Sequence, residues 1–217
     1  MWSALTVLEA EVPDERIAMT TLAVPRPTVA RTAVTAAGLT GAVASAALIS
    51  SWFLQADIAQ VDTARSPVHV VANLIAGLSF AVLAVSLPLL APTTRLPRWS
   101  LTLAGLACAF IAVPAWTFGT VIPHLAGKVG AKEFDALGET DFSLLLLFLP
   151  MVLLSIAAFG ALAVVGWRRH AMSRGASVLL IVAAVASLMV GTFAPAGVLA
   201  GLALAWTAHT VRPVPEA

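Results

Sequence analysis

The chain has 217 residues, of which 60% are apolar and 11% are charged, and its net charge is +1. This charged share is about half that of an ordinary soluble domain, so the composition predicts an all-α, single-domain protein embedded in a membrane. The scattered basic residues exclude nucleic-acid binding, and the lone Cys108 excludes disulfides and thiolate metal sites.

The first 28 residues differ from the rest of the chain because they combine acidic residues with prolines that interrupt a helix. The acidic residues are Glu9, Glu11, Asp14 and Glu15. We therefore expect a flexible tail over residues 1–28. A transmembrane helical domain is expected over residues 29–212, followed by a short C-terminal tail over residues 213–217.

Four charge-free runs are long enough to cross a bilayer core of about 30 Å, which requires roughly 20 helical residues. They predict spans over about 32–54, 67–91, 99–123 and 142–167. The last apolar run, 175–211, would be about 55 Å long as one helix, which is too long to cross once.

A break near Pro195 divides this last run into two predicted spans, 175–192 and 196–211, because Gly191 and Gly197 flank the proline. The sequence thus predicts a polytopic bundle of six transmembrane helices. The alternative is five, with one kinked and tilted helix whose end lies in the interface.

Basic residues near the span ends predict a cytoplasmic N-terminus. In that orientation the inner side holds Arg16, Arg26, Arg31, Arg95, Arg98, Arg168, Arg169, Arg174 and Arg212, and the outer side holds Arg65, Lys128 and Lys132. We expect a multi-pass protein of the cell membrane.

All 12 basic and 11 acidic side chains lie outside the predicted spans. Ion-coupled transporters and pumps normally carry intramembrane charges that bind the moving ion, so this class ranks low. The sequence also has no phosphate-binding glycine loop and no Asp-rich cluster for a magnesium diphosphate. A substrate is therefore expected to react at an uncharged centre.

The stretch "SPVHVVAN" opens the second span with the strongest candidate residues. Ser66 and Pro67 are preferred at the N-cap and first helical positions. His69 then lies in the first turn, where the helix dipole favours a neutral imidazole. Asn73 lies one turn deeper on the same face.

Trp116, Thr120 and His124 form a stripe at i, i+4 and i+8 on the third span. If this stripe faces the second span, it lines one outward-opening pocket together with His69 and Asn73. Asp57 is expected at the mouth of this pocket, and Trp52 and Phe193 are expected in its aromatic wall. The predicted catalytic residues are Asp57, His69, Asn73 and His124, and the predicted substrate-binding residues are Trp52, Trp116, Thr120 and Phe193.

Each of these residues also has a structural interpretation. Trp52 and Trp116 fit an aromatic belt, His124 fits a solvated helix end, and Asn73 fits a hydrogen bond between helices. No metal or other cofactor is expected, because His69, His124 and Asp57 come from separate helices without a ligand motif.

Three functions are consistent with the sequence. The first is a membrane enzyme acting on a neutral lipid or isoprenoid by proton-initiated cyclisation or isomerisation, with Asp57 or a loop carboxylate as the acid. The second is a non-catalytic accessory, assembly or immunity subunit, whose small residues pack against a membrane partner or a second copy. They are Gly38, Gly41, Ala42, Ser45, Gly197, Gly201 and Ala205. The third is an uncharged channel or permease.

Overall fold

The computed structural model describes residues 27–54, 60–140, 142–190 and 194–213, and every regular element among them is helical. The α-helices are α1 (Pro27–Leu54), α2 (Gln60–Arg65), α3 (Pro67–Ser86), α4 (Arg98–Ala126), α5 (Ala131–Thr140), α6 (Phe142–Arg168), α7 (Arg174–Val190) and α8 (Pro195–Thr210). A 3-10 helix, Pro88–Thr93, follows α3. The predicted all-α class is confirmed, while most of the two predicted tails lies outside the described residues.

Four helices are long and apolar enough to cross a membrane, and they coincide with the first four predicted spans. Their spanning segments are Thr28–Ser51, Pro67–Ser86, Arg98–Ala126 and Phe148–Arg168. The long 175–211 run is divided into α7 and α8, with Pro195 as the first residue of α8. α7 has 17 residues and α8 has 16.

Three local differences from the sequence-based expectation have identifiable causes. α3 ends at Ser86 rather than near residue 91, because Pro88 has no N–H to donate to the carbonyl of Ala84. α2 and α5 are helices where the sequence suggested loops. Their apolar side chains are covered in one small cluster, which comprises Val61, Ala64, Ala126, Ile122 and Phe134.

The six long helices form a closed ring of neighbours. α1 packs against α3 and α8, α3 against α4, α4 against α6, α6 against α7, and α7 against α8. One continuous core cluster receives buried side chains from all six helices. Among the largest of its fully buried members are Phe80, Leu101, Phe159, Leu180 and Leu204.

One end of the ring is tied together by hydrogen bonds between four chain segments. Arg31 donates from Nη2 to the carbonyl oxygen of Val211 at 3.3 Å. The backbone N–H of Arg95 donates to Arg212 O at 3.3 Å, and that of Arg212 donates to Ala171 O at 2.8 Å. We call this the arginine end: it comprises the start of α1, residues 94–98, residues 168–174 and residues 211–213.

The opposite end contains α2, α5 and the start of α8. α2 contacts α3, α4 and α5 there. Ala194 packs with Leu48, near the last residues of α1, and with Ala72, near the first residues of α3. The six ring helices therefore alternate in direction, and α7 and α8 each run between the two ends.

α1 and α8 touch backbone to backbone through glycines. A Cβ at Gly38 would lie 2.6 Å from Gly201 O, and one at Gly201 would lie 2.5 Å from Gly38 O. A Cβ at Gly197 would lie 2.5 Å from Ser45 Oγ. Most of the small residues that the sequence offered for a partner helix are therefore used within the chain between α1 and α8, where close approach maximises van der Waals contact, while Gly41 packs against Ser79 and Phe80 of α3.

Candidate functional site

His69 and Asn73 lie inside the bundle at the start of α3. The helix begins at Pro67, as predicted, with Ser66 at the N-cap position but without a side-chain capping bond. His69 is 5% exposed and Asn73 is 0% exposed. Asn73 donates from Nδ2 to the carbonyl oxygen of His69 at 2.9 Å, whereas Asn73 Oδ1 and His69 Nδ1 have no hydrogen-bond partner.

Two buried serines on other helices also carry unpartnered polar atoms. Ser45 on α1 and Ser155 on α6 are both completely buried, and the Oγ of each lacks a hydrogen-bond partner. Other buried serines behave differently. Ser187 Oγ donates to Ala183 O at 2.9 Å and Ser51 Oγ donates to Leu48 O at 2.8 Å, so burial alone does not leave a hydroxyl unpaired in this bundle.

The four residues lie at similar depth. At about 1.5 Å per residue, Asn73 and Ser155 lie roughly 20 Å from the arginine-end termini of their helices, and Ser45 and His69 lie roughly 25 Å from theirs. We call Ser45, His69, Asn73 and Ser155 the polar layer. It belongs to three different helices of the ring and lies in the half of the bundle that faces the opposite end.

Two aromatic rings lie between the polar layer and the arginine end. Phe80 follows Asn73 by two helical turns on the same face of α3, and Phe159 follows Ser155 by about one turn on α6. Both rings are buried in the main core cluster. Phe80 also lies against α1 and α8, because its Cε2 is within 3.6 Å of a Cβ built at Gly41 and 3.8 Å of one built at Gly197.

The stripe on α4 is exposed, whereas His69 and Asn73 are buried, so the described residues do not bring the stripe and these two residues together. Trp116 is 44% exposed, and Thr120 and His124 are also exposed. The indole of Trp116 rests on Gly77 of α3, and Thr120 Oγ1 donates to Trp116 O at 2.6 Å. α3 thus turns Asn73 inward while its contact with α4 leaves the stripe on the outer surface.

Trp116 and Thr120 line a groove of about 520 Å³ between α3 and α4, together with Ala81, Ala84 and Thr117. The predicted stripe is therefore a surface feature of the bundle. Three other predicted residues were expected at the same end: Asp57, Phe193 and the side chain of Trp52. They lie outside the described residues.

A second groove, of about 700 Å³, opens between α1 and α3. Its walls are apolar and include Leu39, Val43 and Val71. Its lining also includes Ala44 and Ala72, which directly precede Ser45 and Asn73 in sequence. Two residues that line this groove are therefore the immediate sequence neighbours of two members of the polar layer.

The chemistry of the polar layer is that of a neutral hydrogen-bonding site. It offers an amide oxygen, two hydroxyls and one imidazole nitrogen. None of these groups carries a formal charge unless the imidazole of His69 binds a second proton. Among the described residues, no three His, Cys, Asp or Glu side chains are grouped to hold a metal ion.

The comparisons with known proteins add no assignment. No protein-family model, curated protein or solved structure matches the chain.

Ser45, Ser155, Phe80 and Phe159 were not among the sequence-based candidates. The sequence contains no local signal for the two serines, since serine in an apolar helix usually bonds to its own backbone. Phe80 has a weak signal, because it lies at i+7 from Asn73.

Proposed function

We propose that the chain is a six-span membrane protein with a cytoplasmic N-terminus, in which α7 and α8 cross the bilayer as a tightly packed pair. Three observations support this: α7 and α8 each run between the two ends of the ring, Ala194 lies at the opposite end, and residues 211–213 return to the arginine end. Helices of 17 and 16 residues are at the short limit for a bilayer, which tolerates modest thinning. The clustered arginines favour a cytoplasmic location for the arginine end, because basic residues are enriched on that side of membrane proteins.

We further propose that the polar layer binds an uncharged lipid or isoprenoid that carries a hydroxyl or carbonyl group. The observation that carries this proposal is the set of four buried, unpartnered polar atoms at similar depth on three helices. Buried polar groups are nearly always paired, so several exceptions together require an explanation. A ligand hydroxyl can donate to Asn73 Oδ1 and accept from a serine, and neither interaction requires a charge.

The reaction that best fits such a ligand is proton-initiated cyclisation or isomerisation. Asp57, in the connection before α2, is the proposed acid, and His69 is the proposed proton relay. The acid adds a proton to one alkene carbon of the substrate, and a second alkene of the same molecule forms a new C–C bond to the resulting cation. A neighbouring C–H then returns a proton to the carboxylate of the acid. The substrate and product are isomers and no redox partner is consumed, and we expect the buried rings of Phe80 and Phe159 to stabilise the developing cation.

The test is an untargeted comparison of membrane lipids from cells with and without the protein. We expect a pair of neutral lipids of equal mass and different retention whose ratio depends on the wild-type chain. Asp57→Asn, His69→Ala and Asn73→Leu should each lower the conversion at least tenfold, a typical effect of losing one acid–base or positioning group.

Ser187→Ala is the matched control, because it alters a buried serine whose hydroxyl is already satisfied by Ala183 O. It should leave the ratio of the two isomers unchanged. If the variants at Asp57, His69 and Asn73 all fold and convert the lipid as the wild type does, the proposed site is wrong.

A further inference from the structure

The arginine end concentrates positive charge from separate parts of the chain. Two hydrogen bonds bring Arg31, Arg95 and Arg212 into one group: Arg31 donates to Val211 O, and the backbone N–H of Arg95 donates to Arg212 O. Four more arginines lie at the same end, on α4, α6 and α7 and the connection between the last two: Arg98, Arg168, Arg169 and Arg174.

These guanidinium groups face no carboxylate from the described part of the chain at their own end. The acidic side chains of the described helices belong to α2 and α5, at the opposite end of the ring. Arg31 makes one bond, to Val211 O, and its buried Nε has no partner. Within the described residues, Arg31 therefore keeps one unused donor, and no carboxylate balances the positive charge of the group.

Tryptophans indicate the depth of the group in a membrane. Trp99, Trp167 and Trp206 are all exposed at the arginine end, and Trp99 and Trp167 directly adjoin Arg98 and Arg168 in the sequence. Exposed tryptophan is enriched at the boundary between hydrocarbon and headgroups. The arginines are thus at the level of the lipid phosphates.

We propose that the arginine end binds the phosphate group of an anionic phospholipid in the adjoining leaflet, with Arg31, Arg95 and Arg212 as its ligands. A guanidinium presents two parallel N–H donors that match two phosphate oxygens. Basic groups between transmembrane helices on the cytoplasmic side bind such headgroups in other membrane proteins. This site is separate from the polar layer and does not depend on the proposed enzymatic activity.

The experiment measures lipid retained by the purified full-length protein in native mass spectrometry. Phosphatidylglycerol and phosphatidylcholine are titrated separately, and inorganic phosphate and glycerol phosphate form two further arms. We expect preferential retention of phosphatidylglycerol, weakened at least about tenfold in the double variant Arg95→Gln/Arg212→Gln. The free phosphates should not displace the lipid at equal concentration.

The matched control is Lys128→Gln/Lys132→Gln, which removes the same two charges at the opposite end. It should bind phosphatidylglycerol within about twofold of wild type. An equal loss in both variants would mean that only net charge matters and would overturn the proposal. Equal retention of the two lipids, or displacement by free phosphate, would overturn it as well.

A lysine variant keeps the test decisive if the glutamine variant fails to fold. Arg95→Lys/Arg212→Lys retains the charge but not the paired donors of guanidinium. We expect it to keep the preference for phosphatidylglycerol and to bind more weakly than wild type. Wild-type affinity in this variant would contradict the assigned ligands.

Discussion

Asn73 shows how a single buried residue separates a structural role from a ligand-binding role. Its Nδ2 bonds to the carbonyl oxygen of its own helix, so the side chain makes no bond across the bundle through this atom. Its Oδ1 is buried and unpartnered, which costs about 1–3 kcal/mol for a typical polar group. Within the described residues the amide therefore makes no hydrogen bond to another helix, and its role in a site stays a prediction.

Ser155 and Ser187 give the residue-scale prediction. Ser155→Ala removes a hydroxyl that has no partner, so we expect the melting temperature in detergent to stay equal or rise, with a stabilisation of up to about 1 kcal/mol. Conversion of the lipid should fall at least tenfold, since the same hydroxyl is proposed to hold the ligand.

Ser187→Ala removes a satisfied hydroxyl, so we expect the opposite pattern: a small loss of stability, about 0.5–1 kcal/mol, and unchanged conversion. Thermal melting and the lipid-isomer ratio measure the two effects on the same preparations. A lower melting temperature for Ser155→Ala than for Ser187→Ala would show that Ser155 stabilises the fold.

Close helix contact is the element-scale feature that holds the bundle together. In lipid there is little hydrophobic force between helices, so van der Waals contact and close backbone approach carry the association. α1 and α8 use Gly38 and Gly201 for this contact. α3 and α4 do the same at Gly105, where a Cβ would lie 2.7 Å from Ala84 O, the carbonyl that Pro88 leaves without its helical donor.

Gly201→Ala tests the α1–α8 contact. The new methyl group would lie 2.5 Å from Gly38 O and 2.9 Å from Ala42 N, and both are backbone atoms that cannot move aside without separating the helices. We expect a loss of stability of about 2 kcal/mol, measured by thermal melting or denaturing-detergent titration.

Gly160→Ala is the control for this change, because a Cβ at Gly160 on α6 meets nothing within 4 Å. Its stability should be unchanged or raised by up to about 1 kcal/mol through helix propensity. Similar losses for the two variants would show that packing along α1 and α8 is not what limits stability.

The whole molecule is a ring with two chemically different ends. The arginine end is joined by hydrogen bonds between its segments and carries the clustered positive charge. The opposite end is covered by the short helices α2 and α5 and lies nearer to the polar layer. For the ligand proposed above, we expect entry to the polar layer from this end or through the groove between α1 and α3.

The topology prediction belongs to this scale. In a Cys108→Ala background, Lys128→Cys should react with a membrane-impermeant maleimide in intact cells, because it is exposed at the end proposed to face outward. Arg212→Cys should react only after permeabilisation, since six spans return the C-terminal segment to the cytoplasmic side. Labelling of Arg212→Cys in intact cells would instead support five spans.

Most of the fold was predictable because its signals are local. Charge-free runs mark the first four membrane-length helices, Pro67 marks the start of α3, and Pro195 marks the start of α8. The effect of Pro88, which ends α3 at Ser86, is local too, although the predicted span extends past it to about residue 91. α2 and α5 were not predicted because a short helix is stable only when it packs against other parts of the protein, and its own sequence does not show that packing.

The candidate site was predictable only in part. His69 and Asn73 stood out because polar side chains are rare in such a run, and both are buried. Which other residues share their surroundings depends on helix rotation, and α3 and α4 are apolar on nearly all sides, so their sequences do not indicate which face points inward. Trp116 and Thr120 consequently turned out to be surface residues, and Ser45 and Ser155 interior ones.

By itself the sequence determined the helices and their apolar character: proline, glycine and charge positions divide the chain into apolar helices, four of which are long enough to cross a membrane. Only the tertiary structure decided which atoms meet inside the ring. The physical reason is that hydropathy and helix breaking act within one segment, whereas the pairing of a buried hydroxyl, amide or guanidinium depends on atoms that other segments bring to it.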